Sequence, residues 1–221
     1  MTFGILVYVP RLDLAHPIAS AYAHIIGGGI ELLEGYLGSH IAPAVFADDS
    51  TDGVLGLYGG DTWDAELGGL KRRCLTENVA NYTADGSQIW LYRFRTPLTG
   101  EQKARGLAYL RSVEGLPYDC LDFARRAILD VAGWLGILSP LVPVLGPILG
   151  IVKQIASVDI SKWLGIQAVV CYRLGANFMS ALGFEGIDGA TWGPRELDRM
   201  LAAGIFTEPV LVTDAVTEAP E

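Results

Sequence analysis

Alternating apolar and polar positions predict strands near the start of the chain. Phe3 to Val9 forms the first of these runs, and Pro10 ends it. Ile41 to Ala47 forms the second, in which Pro43 favours a position near a sheet edge or a bulge. After a polar loop, Val54 to Tyr58 has the pattern of a returning strand. We therefore expect the second and third runs to form a hairpin.

Helical and extended patterns alternate in the rest of the chain. Gln88 to Phe94 predicts a strand, and Thr99 is the expected N-cap of a helix over Glu101 to Val113. A helix that starts at Pro194 and a last strand within Phe206 to Val212 are predicted near the C-terminus. The chain is therefore predicted to contain both strands and helices.

Two segments have patterns of a different kind. Gly68 to Asn81 is polar, and we expect it to cover the sheet. Val131 to Val152 contains 22 residues without a charge, a length that would span a bilayer, but its prolines and glycines oppose one continuous helix. We expect short helical pieces, broken near Pro140 and Pro147, that pack against the domain, a protein partner or a membrane surface without crossing it.

A helical pattern also follows Cys171. Leu174, Phe178 and Leu182 recur at helical spacing, which places Cys171 in the first turn of an amphipathic helix. The positive end of the helix dipole favours a thiolate there, and a thiolate is a nucleophile if a base lies within reach. The alternative is a buried structural cysteine.

Composition and charge exclude several classes of function. The chain is 51% hydrophobic with a formal net charge of −9, so we expect no nucleic-acid partner. Its three cysteines lack CxxC spacing and its three histidines all precede position 41, so we expect no zinc site, and nothing in the sequence calls for a cofactor. The N-terminus lacks the pattern of a signal peptide, which is compatible with a cytoplasmic or a virion-associated location.

The predicted hairpin brings a base and a carboxylate together. If Ala47 and Val54 flank the loop, His40 lies opposite Asp61 on the neighbouring strand. A histidine beside a carboxylate is the arrangement of a base with its orienting partner. We therefore predict that Asp61, rather than Asp64 or Glu66, contacts His40.

Several short motifs occur in an order typical of one family. They are Ser39-His40, Val54–Tyr58 with Asp61, Trp90-Leu91-Tyr92-Arg93, Gly115-Leu116-Pro117-Tyr118-Asp119, Cys171-Tyr172-Arg173-Leu174 and Pro194-Arg195-Glu196-Leu197. Together they resemble the circularly permuted NlpC-type branch of the papain-like cysteine hydrolases, in which the histidine strand precedes the cysteine helix. Tyr172 and Arg173 depart from the family pattern, which usually has Ser and Glu there.

The resemblance implies a fold and an activity. The fold would be a single permuted papain-like α+β domain over residues 1–212, with the apolar insertion at 131–152 and a flexible acidic tail at 213–221. Cys171 would be the nucleophile and His40 the base, without metal or cofactor. No motif of the family fixes the third residue, for which the hairpin register gives Asp61. The substrate would be an amide bond in bacterial cell-wall peptide, cleaved by a cysteine peptidase or amidase, with a phage tail or virion as one setting.

Other interpretations of the same residues stay open. Cys120 is a rival nucleophile that would also use His40, whereas Cys74 has basic neighbours but no nearby histidine. The chain would alternatively be a non-catalytic adaptor of a tail or secretion assembly, docking through the apolar insertion. A third interpretation is a lipid-directed thiol acyltransferase or esterase whose insertion holds an acyl chain.

Overall fold

The computed structural model describes residues 1–9, 40–46, 60–66, 68–84, 87–119, 168–187 and 194–212, together with Pro147 and Gly150. This part of the chain has an α+β fold, as the sequence predicts. The predictions for the returning strand at 54–58, Cys120, the insertion at 131–152 and the tail at 213–221 lie outside these residues. Within them, no helix combines the length and apolar character that a membrane span requires.

The described strands form one antiparallel sheet of six members. Their bounds are β1 Thr2–Val9, β2 His40–Phe46, β3 Asp61–Glu66, β4 Gly69–Cys74, β5 Gln88–Arg93 and β6 Val210–Leu211. The order across the sheet is β4-β3-β2-β1-β5-β6, so β1 and β2 lie at its centre. The predicted strands at 3–9, 41–47 and 88–94 are confirmed within a residue or two.

Four helices accompany this sheet in the described ranges. They are α1 Leu75–Ala84, α2 Gly100–Val113, α3 Cys171–Ala181 and α4 Pro194–Ala202. Thr99 caps α2 as predicted: its side chain accepts a hydrogen bond from the Gln102 N–H, and the Gln102 side chain accepts one from the Thr99 N–H. The helix that starts at Pro194 is also confirmed.

The side chains of β1 alternate between two apolar layers. Phe3, Ile5 and Val7 face one layer, which α3 and residues of α2 and α4 complete. Leu6 and Tyr8 face the other, where they pack with Leu75 and Val79 of α1, among others. Both faces of the central strands are therefore buried, with α1 on one side and the other helices opposite.

Pro43 does not place its strand at an edge. β2 lies between β1 and β3, so that prediction is wrong. Pro43 pairs with Ile5 in an uninterrupted register with β1, and its carbonyl oxygen accepts a hydrogen bond from the Thr62 hydroxyl of β3 at 3.2 Å. Because the N and O atoms of a strand residue point the same way, the missing donor of Pro43 faces β3, where a side-chain hydroxyl satisfies the carbonyl.

The segment predicted as a polar cover, 68–81, instead forms regular structure. It contains all of β4 and most of α1, and β3 precedes it as another strand that the hydrophobic pattern did not predict. β4 is an edge strand, and its Lys71 and Arg72 are exposed, as is common at sheet edges. The helix α1 does cover one face of the sheet, through Leu75 and Val79.

The helices α2 and α3 pack closely because Gly106 has no side chain. A Cβ atom at Gly106 would lie 2.6 Å from Leu182 Cδ2 and 3.1 Å from Phe178 Cε2, and both of those side chains are fully buried. Gly100, at the start of the same helix, has no neighbour within 4 Å of such a Cβ. Replacing each glycine with alanine therefore distinguishes the effect of close packing, present only at Gly106, from the effect of helix propensity, present at both positions.

We expect Gly106→Ala to lower the free energy of unfolding by about 1–3 kcal/mol, because the added methyl group overpacks the contact between α2 and α3. Gly100→Ala should change it by no more than about 0.5 kcal/mol. Urea unfolding of the two variants and the unchanged protein measures both values. Equal stability of the two variants would mean that α2 and α3 do not approach each other as described.

Candidate active site

Cys171 is the first residue of α3, as the helical spacing predicts. Val170 is the N-cap in an extended conformation without a side-chain cap, and its carbonyl accepts the Leu174 N–H at 2.8 Å. Leu174, Phe178 and Leu182 are all fully buried, so the predicted apolar face holds the helix against the sheet. The Cys171 sulfur thus lies where the N–H groups of the first turn have no helical partner.

The turn at 115–119 fixes the segment that leads into Cys171. Val169 donates to the Pro117 carbonyl at 3.0 Å and accepts from the Asp119 N–H at 3.1 Å, which makes a short parallel bridge. The turn is itself tied to β4, since Leu70 donates to the Leu116 carbonyl at 2.8 Å. The start of α3 is therefore anchored two residues before the cysteine.

His40 interacts with both the cysteine and a carboxylate. Its Nε2 atom forms a hydrogen-bonded ion pair with Asp64 Oδ1, and its interaction with Cys171 contributes to raising the pKa of the imidazole. With Nε2 engaged by Asp64, Nδ1 is the ring nitrogen left for the thiol. The structure thus brings together Cys171 and His40, the two residues that the sequence singled out as nucleophile and base.

The prediction that Asp61 contacts His40 is wrong. Asp61 pairs with Val45 in the ladder between β2 and β3, and its carboxylate binds Arg72 at 2.5 Å on the surface. The error lies in the register of the hairpin. Asp61 was expected just after a returning strand at 54–58, but it is the first residue of β3, the strand that pairs with β2. In the observed register Asp64 is the acidic residue that reaches His40 from the neighbouring strand.

Asp64 is fully buried, and two side chains of α1 act on it. The Tyr82 hydroxyl donates to Asp64 Oδ2 at 3.3 Å, and the Asn78 side chain contributes to lowering the pKa of the carboxylate. Asn78 Nδ2 donates in addition to the Tyr8 hydroxyl at 2.8 Å. The sequence analysis missed these residues, although the spacing of four between Asn78 and Tyr82 would place them on one helix face.

Two tyrosine rings enclose the His40 imidazole. The centroid of the Tyr8 ring lies 5.3 Å from that of His40, and the Tyr82 ring is stacked on it at 6.1 Å. The two tyrosines contact each other at 4.1 Å. With only 14% of its side chain exposed, His40 is held in one orientation between these rings and Asp64.

The electrostatics of the site favour an ion pair between cysteine and histidine. Burial raises the pKa of the Cys171 thiol, but hydrogen bonding and charge interaction with His40, assisted by backbone N–H groups of Ile41 and Tyr172, lower it below its ordinary value. Burial lowers the pKa of His40, but the charge of Asp64, its hydrogen bond and Cys171 raise it well above the usual range. Both shifts favour a thiolate beside an imidazolium.

The pKa of Asp64 is lowered in the same network. Burial alone would raise it, and the charge of His40, the hydrogen bonds from His40 and Asn78, and the charge of Arg73 outweigh that effect. The carboxylate therefore stays ionised and stabilises a proton on His40. A thiolate, an imidazolium and an oriented carboxylate together can attack a carbonyl carbon and protonate a leaving group.

Comparison of the chain with known protein families, curated proteins and solved structures gave no match. The arrangement of the side chains is accordingly the basis for any functional assignment. The rival cysteine Cys74 is exposed at the end of β4. No group of three or more His, Cys, Asp and Glu side chains suited to a metal ion occurs in the described ranges.

Proposed function

We propose that this protein is a cysteine hydrolase in which Cys171 is the nucleophile, His40 the acid and base, and Asp64 the residue that orients the imidazole. The contact of one buried histidine with both a cysteine at a helix start and a carboxylate is the observation that carries the proposal. A structural cysteine requires neither an imidazole beside it nor a carboxylate behind that imidazole.

The proposed reaction begins with the thiolate of Cys171. It attacks the carbonyl carbon of an amide, and the backbone N–H of Cys171 is a candidate donor to the oxyanion. The tetrahedral intermediate collapses as His40 gives the proton on Nδ1 to the leaving amine, which leaves a thioester on Cys171. Water then attacks the thioester, His40 takes its proton, and the acid product and free thiolate are released.

We further propose that the fold is the circularly permuted NlpC-type papain-like fold. Support comes from the histidine strand β2 preceding the cysteine helix α3, and from packing of that helix on a central antiparallel sheet. The motif Gly115–Asp119 also lies against the residues that lead into Cys171. The family resemblance suggests peptide amide bonds of bacterial cell wall as the substrate, with a virion or phage tail as one setting.

Digestion of purified peptidoglycan tests the proposed substrate. We expect the protein to release new free amino groups and carboxyl groups from peptide stems, detected by mass spectrometry of the soluble fragments. Chelators should leave the rate unchanged, since the proposed mechanism uses no metal. Hydrolysis that survives in Cys171→Ala would contradict the proposal, because the thiolate is the only nucleophile in it.

An assay with a generic acyl ester distinguishes the proposed amide hydrolase from the two alternatives, an acyltransferase or esterase and a non-catalytic adaptor. A burst of p-nitrophenol from a p-nitrophenyl ester, with Cys171 acylated but peptidoglycan intact, would favour a thiol acyltransferase or esterase. Neither a burst nor cell-wall hydrolysis, with the protein folded, would favour the adaptor role and overturn catalysis. Under the proposal, both the burst and hydrolysis of peptidoglycan depend on His40.

A further inference from the structure

We infer that the helix α1 positions the acid of the site: Asn78 and Tyr82 hold the Asp64 carboxylate so that its other oxygen stays directed at His40. This inference rests on the proposed function, because it assigns a role within the same set of residues. It concerns two side chains that act on the site through Asp64, so they are positioning residues and not catalytic ones.

The contacts of Asp64 show how the carboxylate is oriented. Oδ1 binds His40 Nε2, while the Tyr82 hydroxyl donates to Oδ2 at 3.3 Å. The Asn78 amide contributes to lowering the pKa of the carboxylate, and it donates to the Tyr8 hydroxyl at 2.8 Å, which restrains the amide itself. A buried carboxylate that is bonded on both oxygens cannot rotate about its Cβ–Cγ bond without losing a hydrogen bond.

The position of α1 is itself fixed by the core. Leu75 and Val79 are buried against the face of the sheet that carries Ala42, Ala44 and Phe46. The Leu75 N–H donates to the Gly60 carbonyl at 2.9 Å, one residue before β3 begins. The donors and the carboxylate therefore belong to neighbouring, mutually anchored elements. Asn78 and Tyr82 lie one helical turn apart, so both reach the same carboxylate.

Several charged and titratable groups surround this carboxylate. They are His40 of β2, Arg73 of β4, Tyr82 of α1, Tyr8 of β1 and Cys171 of α3. Among them, only His40 and Arg73 place a positive charge near Asp64. The neutral donors of α1 add hydrogen bonds without adding charge, so their removal changes the orientation and ionisation of Asp64 but not the net charge of the site.

The test measures alkylation of Cys171 by iodoacetamide as a function of pH, by peptide mapping of the full chain. Loss of either donor destabilises the ionised carboxylate, which then supports the imidazolium and the thiolate less well. We expect Asn78→Leu to lower the alkylation rate at about pH 6 by about tenfold, and Tyr82→Phe by about threefold, with the acid midpoint moved upward. Tyr82→Phe retains the ring that stacks on His40.

Thr83→Ala is the matched control. Thr83 lies in the same helix, but its hydroxyl donates to the Ala80 carbonyl of that helix, so its loss should leave the pH profile unchanged. Each variant is also made together with Asp64→Asn. If the donors act through Asp64, neither should lower the rate further in that background. A structural role would lower it in both backgrounds.

Two results would overturn the inference. One is a pH profile for Tyr82→Phe and Asn78→Leu that matches Thr83→Ala, and the other is an undiminished effect in the Asp64→Asn background. Should Asn78→Leu fail to fold, as thermal unfolding would reveal, Tyr82→Phe alone decides between these outcomes. Because the readout is a thiol reaction, absence of cell-wall hydrolysis would overturn the proposed substrate and leave this inference standing.

Discussion

Replacing Cys171 with alanine is expected to lower the rate of hydrolysis by at least about 10⁴-fold, because the variant has no nucleophile to form the acyl-enzyme. The same replacement at Cys74, an exposed cysteine at the end of β4, should leave the rate within about twofold of that of the unchanged protein. Initial rates of fragment release from peptidoglycan, with circular dichroism to verify the fold, measure both effects.

The pair of cysteine variants also addresses the rival nucleophiles. Cys120 and Cys74 both remain in Cys171→Ala, so any thiol-dependent hydrolysis left in that variant would come from one of them. Hydrolysis that is retained in Cys171→Ala and lost in Cys120→Ala would transfer the role to Cys120. If the papain-like fold serves only for docking, the unchanged protein would show no hydrolysis, and neither variant would change the result.

Replacing Asp64 with asparagine is expected to lower the rate by about 10²–10⁴-fold near neutral pH, in line with loss of the orienting carboxylate in other triads. The asparagine retains the shape of the side chain but removes the charge that raises the pKa of His40. Without that charge the ion pair of thiolate and imidazolium is less stable, so a higher pH is needed to ionise the same fraction of Cys171. The loss should therefore be greatest at acid pH and smaller as the pH rises.

Asp61→Asn is the control for Asp64→Asn, since the two residues lie on the same strand and differ in their contacts. Asp61 binds Arg72 at the surface, where an ion pair contributes about 0–1 kcal/mol, so hydrolysis should change by no more than about twofold. Rate measurements over a range of pH compare the two variants. Equal losses in both would contradict the assignment of Asp64 as the partner of His40.

Local patterns were enough to predict the helix that begins at Cys171. The apolar residues Leu174, Phe178 and Leu182 recur at the i, i+4 spacing typical of a helix, and Cys171 occupies the first position of that helix. The strands β1 and β5 and the N-cap Thr99 were predicted for similar reasons. In each case the evidence lies within a few residues along the chain.

The partner of His40 depended on information that local patterns lack. Asp64 belongs to β3, where Trp63 and Ala65 face one apolar layer and Asp64 faces the other. Its buried carboxylate is stabilised by His40 and by side chains of α1. An acidic residue in a short polar segment gives no sign of such burial. The register between β2 and β3 is set by long-range pairing, and a shift of a few residues changes the predicted acid.

The helix α1 was missed for a related reason. Its apolar face consists chiefly of Leu75 and Val79, and the neighbouring positions Asn78 and Tyr82 are polar. Because these two positions are polar, the sequence predicts that they are exposed to solvent. In the structure they face a buried carboxylate. Polar groups that bind other buried polar groups have no hydrophobic signature, so this part of the site required the structure.

The central claim is that Cys171 is a thiolate paired with His40, and the pH dependence of its alkylation tests this most directly. Brief labelling with iodoacetamide, followed by peptide mapping, gives a rate for each of the three cysteines in one sample. Because the pKa of Cys171 is lowered, we predict that it is labelled at about pH 6 at least about tenfold faster than Cys74 or Cys120. His40→Ala should abolish that advantage. Preferential labelling of Cys74 or Cys120, or a rate at Cys171 that rises only above about pH 8.5 as for an ordinary thiol, would contradict the claim.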